Sequence, residues 1–80
     1  MNRRDQIAGI ILDRLNFYGT WVAEAVLHAD VNNRVQPHAA LAEFNAARDF
    51  LAERGDIAPL ARVKGTKWAL TEQGKLEVLG

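Results

Sequence analysis

Apolar positions in the first half of the chain recur at helical spacing. Ile7, Ile11 and Leu15 fall four residues apart, flanked by Ile10 and Leu12, which predicts a first helix from about Arg3 to Leu15. The stretch "NFYGT" interrupts it, with Gly19 as breaker and Thr20 as N-cap of a second helix over about Trp21 to Ala29. Val22, Ala25, Val26 and Ala29 would form the inner side of that helix. The polar run "DVNNRVQ" ends it, and Pro37 suits the first position of a third helix. This third helix is the longest, about Pro37 to Arg54, and Gly55 closes it. Its expected buried stripe is Ala40, Leu41, Phe44, Ala47 and Leu51; Ala39, Ala42, Ala46, Asp49 and Glu53 fall on the opposite side.

After Gly55 the period changes to two. A three-residue turn at Val63, Lys64 and Gly65 gives Gly65 the left-handed conformation such loops need. That register sets Leu60 opposite Trp68 and Ala58 opposite Leu70 on one inner face, whereas a two-residue turn at Lys64-Gly65 would part Leu60 from Trp68. Pro59 points to a free strand edge. A final turn or short helix from about Thr71 returns Leu76 and Leu79 to the core. The pattern is mostly α with a small β-hairpin, an α+β domain over residues 1–80 without repeat or linker.

Composition narrows the function classes. The chain has neither cysteine nor serine, so the two commonest catalytic nucleophiles, disulfides and thiolate metal sites are excluded. His28 and His38 are the only histidines and have no acidic partner at ligand spacing; His28, near a helix end, reads as a capping or surface residue. Glu43, Asp49 and Glu53 lie at helical spacing on a solvated face, and "KGTK" lacks the spaced glycines of a phosphate loop. The expectation is no enzyme, no cofactor and no metal. The apolar run Ile7 to Leu12 is too short for a secretory signal or a membrane span of about 20 residues, so a cytoplasmic protein without membrane contact is expected.

The formal charge of zero conceals a partition. Residues 37–56 carry a net −2, while residues 57–71 carry Arg62, Lys64 and Lys67 against no acid. The last nine residues return −1.

Two segments, "FLAERGDI" (Phe50 to Ile57) and "KWALTEQGK" (Lys67 to Lys75), resemble the winged helix-turn-helix domains of bacterial and phage transcriptional regulators. The first looks like the end of a recognition helix, and the second like the return strand of a wing with the L-T-E-x-G turn that follows it. With the order of elements, the resemblance spans nearly the whole chain. It implies a third helix in the major groove of double-stranded DNA and a basic hairpin on phosphates or in the minor groove. Arg62, Lys64 and Lys67 would then lie near the wing tip. Gln36, His38 and Asn45 are the exposed side chains of base-reading type, with Arg34 close to the N-terminal end of the helix.

The same resemblance leaves this helix short of cations. Arg48 falls where an apolar residue is usual, its stem expected to pack while its head snorkels out. Phe50 lies off the main stripe, either covered by the wing or exposed. The alanine-rich outer face permits close approach of a DNA groove, or of another protein's helix. A protein-binding adaptor on the same fold is the alternative partner class, and the first helix could support a homodimer.

Overall fold

The structure is a computed structural model that describes residues 2–79. The chain runs α1 (Arg3–Tyr18), β1 (Val22–Ala23), α2 (Glu24–Asn32), α3 (Leu41–Arg54), β2 (Ile57–Arg62), β3 (Gly65–Leu70) and α4 (Glu72–Leu79). The α+β class stands: α4 is the final turn or short helix expected after Thr71, and β1 is one strand more than the sequence pattern gives.

Helix α1 starts where Asn2 Oδ1 accepts the Asp5 N–H at 2.8 Å. It continues past Leu15 to Tyr18 because the left-handed Gly19, at φ 68°, is what stops it, its N–H bonding the Leu15 carbonyl. The segment after Gly19 is not yet helical. Val22 and Ala23 pair with Trp68 and Lys67 instead, so α2 begins at Glu24 with Ala23, not Thr20, at its N-cap. With Val22 taken by the sheet, the phase of α2 is set by Leu27 and Val31, both buried, while Ala25, Val26 and Ala29 face outward. The inner face expected from Trp21 onward is thereby corrected.

Helix α3 begins at Leu41 rather than Pro37. The loop before it turns back on α2: Asn32 Oδ1 accepts the Ala39 N–H at 2.8 Å, and His28 Nε2 lies 2.9 Å from the Ala39 carbonyl. His28 also stacks on Phe44, with ring centroids 4.7 Å apart, so it is an interior tie and not a surface group. Val35 and Ala39 are buried by this fold-back, and Leu41 is 59% exposed; Ala39 and Leu41 thus exchange the sides the sequence pattern assigns them. Ala40 also faces outward, and its N–H is capped by the Glu43 carboxylate at 3.1 Å.

The sheet order is β1-β3-β2, all antiparallel. Its hairpin turns on two residues, Val63 and Lys64, with Arg62 opposite Gly65, Leu60 opposite Lys67 and Pro59 opposite Trp68. The expected register is therefore wrong by one residue. Gly65 uses its φ of 130° as the first residue of β3 and not inside the turn. Trp68 keeps the inner face, opposite Val22, and Leu60 moves to the outer face with Arg62 and Lys67. Strand β2 is an edge strand, which accommodates Pro59.

Ile7, Ile11, Leu15, Leu27, Val31, Phe44 and Leu51 form the core, and Trp68 and Ile57 cover it from the sheet. Leu76 and Leu79 do not join it; they are 69% and 81% exposed. Polar groups hold the start of α4 instead. Thr71 Oγ1 donates to the Gly55 carbonyl and accepts the Gly74 N–H at 3.0 Å. Gln73 Nε2 donates to the Arg54 carbonyl and, at 3.0 Å, to Oδ1 of the fully buried Asp56. The L-T-E-x-G segment is thus a clasp that closes on the end of α3.

Candidate nucleic-acid interface

The β2–β3 hairpin carries its cations where they meet solvent. Arg62, Lys64 and Lys67 are exposed, as is Val63 at the tip, and among the described residues none of the three cations takes part in an ion pair. They stand beside the start of α2, where Ala23, Glu24 and Ala25 wall a hollow of about 300 Å3. Three like charges held on a hairpin, out of the core, give this surface a positive potential.

Helix α3 presents Leu41, Ala42, Ala46, Asp49 and Glu53, with Asn45 half-buried among them. The sequence pattern expects Asn45 exposed, but it is only half-exposed, its Oδ1 accepting from Arg48. Gln36 and His38 are exposed but lie in the loop ahead of α3, not on the helix. That loop is fastened to α1 by Arg3, whose guanidinium donates to the Pro37 and His38 carbonyls and to Glu43 at 3.0 Å. Arg34 is half-exposed and pairs with Asp30 at 3.5 Å, so it is less available than the hairpin cations.

The group that sequence reasoning misses is the one around Arg48. Its head does not snorkel to water. It donates to Glu24 of α2, to Asn45 Oδ1 at 2.8 Å and to Asp49, while Glu24 also accepts the Trp68 indole N–H at 3.1 Å. An arginine in an otherwise apolar position was the one available signal. Phe50 is likewise neither under the hairpin nor free: Arg4 lies 4.0 Å and Arg54 5.2 Å from its ring centre.

Two carboxylates near the α2–α3 connection are held ionised. Burial works against the charge of Asp30, but hydrogen bonds from Arg14 and Tyr18 and the charges of Arg14 and Arg34 outweigh it and keep its pKa below the ordinary value. Glu43 is lowered by its hydrogen bond from Arg3, then by the Ala40 N–H.

No family model and no curated protein sequence matches the chain. Two solved structures of archaeal viral proteins do match in shape. The crystal structure of SSV1 F-93 superposes with a TM-score of 0.75 at 25% identity, over 91% of this chain and 78% of that one. F93 from STIV, described as a winged-helix DNA-binding protein, superposes with a TM-score of 0.77 at 21% identity, over 89% and 77%. The fold is a winged helix. In this winged helix α3 is the third helix of the fold, and the β2–β3 hairpin is the wing. Strand β1 completes the sheet against which the wing is built.

Proposed function

We propose that this winged helix binds double-stranded DNA as a small transcriptional regulator, with α3 in the major groove and the wing on the phosphate backbone. The observation that carries this reading is the set of three exposed cations on the wing, Arg62, Lys64 and Lys67, none of them in an ion pair among the described residues. The description of F93 from STIV as a DNA-binding protein supports it. Asn45 would face base edges from the middle of α3. Gln36 and His38 would approach from the loop at its N-terminal end, and Arg34 would meet phosphate on leaving Asp30.

Anisotropy titrations of labelled random duplexes over a salt series test the reading. Three neutralised phosphates give a slope of log K against log salt of about −2.7, and a fourth at Arg34 about −3.6. Negligible binding at about 50 mM salt, where electrostatic contacts are strong, would remove DNA as the partner.

The exposure of Leu41 beside Ala42 and Ala46 favours a second reading, an adaptor that docks another protein on α3. It expects little affinity for duplexes at moderate salt, and loss of the protein partner when Ala42 or Ala46 is enlarged.

A further inference from the structure

Arg48 sits on α3 between Asn45 and Asp49, yet its side chain is only 16% exposed. Its guanidinium makes four hydrogen bonds inside the protein. Nη1 donates to Glu24 Oε1 and to Asn45 Oδ1, and Nε and Nη2 both donate to Asp49 Oδ1, at 3.0 and 2.9 Å. Behind it the Trp68 ring centre lies 5.4 Å away, and that indole shares Glu24 Oε1. The arginine is therefore fixed from α2, α3 and β3 together, and it is not aimed at a ligand.

This arrangement acts on Asn45. A guanidinium only donates, so the amide atom facing Arg48 is the oxygen, and the NH2 group is turned away from it. The amide cannot flip without losing that bond. Its oxygen keeps a second lone pair, so the held amide still offers a donor and an acceptor side by side. Adenine presents the complementary pair in the major groove, the N7 acceptor and the N6 amino donor. Arg48 also offsets the charge of Asp49, the acid nearest this amide on the exposed side of α3.

We propose that Arg48 is a positioning residue for base readout, locking the Asn45 amide in the orientation that selects adenine. The assignment rests on the DNA reading above. On this proposal Arg48 changes the choice of base through Asn45, whereas its bonds to Glu24 and Asp49 and its contact with Trp68 are structural and should not alter base preference.

The test uses the full chain and a pool of random duplexes. The bound fraction is sequenced to find the position of strongest adenine preference. Duplexes with adenine or guanine there are then titrated by anisotropy. Wild type should favour adenine roughly tenfold or more, as a bidentate amide contact does. Asn45→Ala should abolish the ratio. Arg48→Lys keeps the charge opposite Glu24, but its donors sit on one nitrogen and cannot span the positions that Nε, Nη1 and Nη2 occupy, so it should lose most of the ratio. In the Asn45→Ala background, Arg48→Lys should change the ratio no further.

Arg48→Lys with the ratio intact, or with the same proportional loss in both backgrounds, overturns the proposal. So does wild-type binding without adenine preference, which leaves the DNA reading standing. No binding by wild type overturns both. Circular dichroism establishes that each variant folds. Should Arg48→Lys not fold, the pair Arg48→Met with Glu24→Gln decides: it removes the guanidinium without leaving the Glu24 carboxylate unpaired, so a retained adenine preference overturns the proposal and its loss, with binding kept, supports it.

Discussion

At Gly74 a single methyl group is excluded by geometry. A Cβ there would lie 2.0 Å from the Asp56 carbonyl oxygen, backbone that cannot swing aside, and 3.0 Å from a Leu70 methyl. Gly74→Ala should cost about 1–3 kcal/mol or more by overpacking, despite the better helix propensity of alanine. Gly9, inside α1 with nothing within 4 Å of a Cβ, is the control. There the same substitution should stabilise by up to about 1 kcal/mol. Thermal melting of the two variants checks both, and a Gly74→Ala protein as stable as wild type would show that the clasp is loose. Gly74 is legible in the sequence only through the resemblance of "KWALTEQGK", because the contact that requires it comes from a residue eighteen positions earlier. Phe44, Leu51, Ile11 and Leu15 are legible directly: each is one member of an i, i+3/i+4 stripe that has one place to go. Leu41 and Leu60 fit their stripes equally well and are displaced by tertiary contacts that no stripe encodes.

At the scale of elements, α1 and α2 are joined by Asp30, which accepts from Arg14 at 2.8 Å and from Tyr18 at 3.0 Å. Its folded-state pKa is lowered, so its contribution to stability is present above the ordinary carboxylate value, about 4. That contribution is lost as pH falls through the lowered folded value. Glu43, joining α1 to the start of α3 through Arg3, behaves in the same direction. The melting temperature should therefore decline on acidification below about pH 4, and Asp30→Asn should make the decline shallower. An unchanged acid limb in that variant would remove the α1–α2 link as its source.

The wing gives a second prediction at this scale. Replacing Lys64 and Lys67 together with alanine should weaken binding to all duplexes alike and flatten the salt slope by about two units. A changed sequence preference with an unchanged slope would instead place these lysines on bases. The wing was readable because its cations gather around Gly65 between two segments of period two. Strand β1 was not, since two residues carry no periodicity, and without it α2 is expected to start too early; the hairpin register differs for another reason, the expectation that Leu60 shares the inner face with Trp68.

Across the whole molecule the zero net charge resolves into separate surfaces: exposed cations on the wing, and Glu53 toward the C-terminal end of α3, where Asp49 is paired with Arg48. Phosphate is attracted to the first and repelled by the second, which favours docking through the N-terminal turns of α3 together with the wing. The cationic wing could be read from local sequence. The part of the candidate site built from Glu24, Asn45, Arg48 and Trp68 could not, because its members lie up to 44 positions apart and meet only in the folded chain. The same sheet that carries the wing also bears on self-association. Its outer edges are a two-residue strand on one side and, on the other, β2 with Pro59, which has no N–H to offer a further strand. A hairpin that stands out from the core is thereby kept from templating its own kind. Pro59→Thr should restore a donor on an exposed β-rich edge. Light scattering on warming should then show earlier aggregation than in wild type, while equal scattering would mean that the edge is guarded by its charges alone.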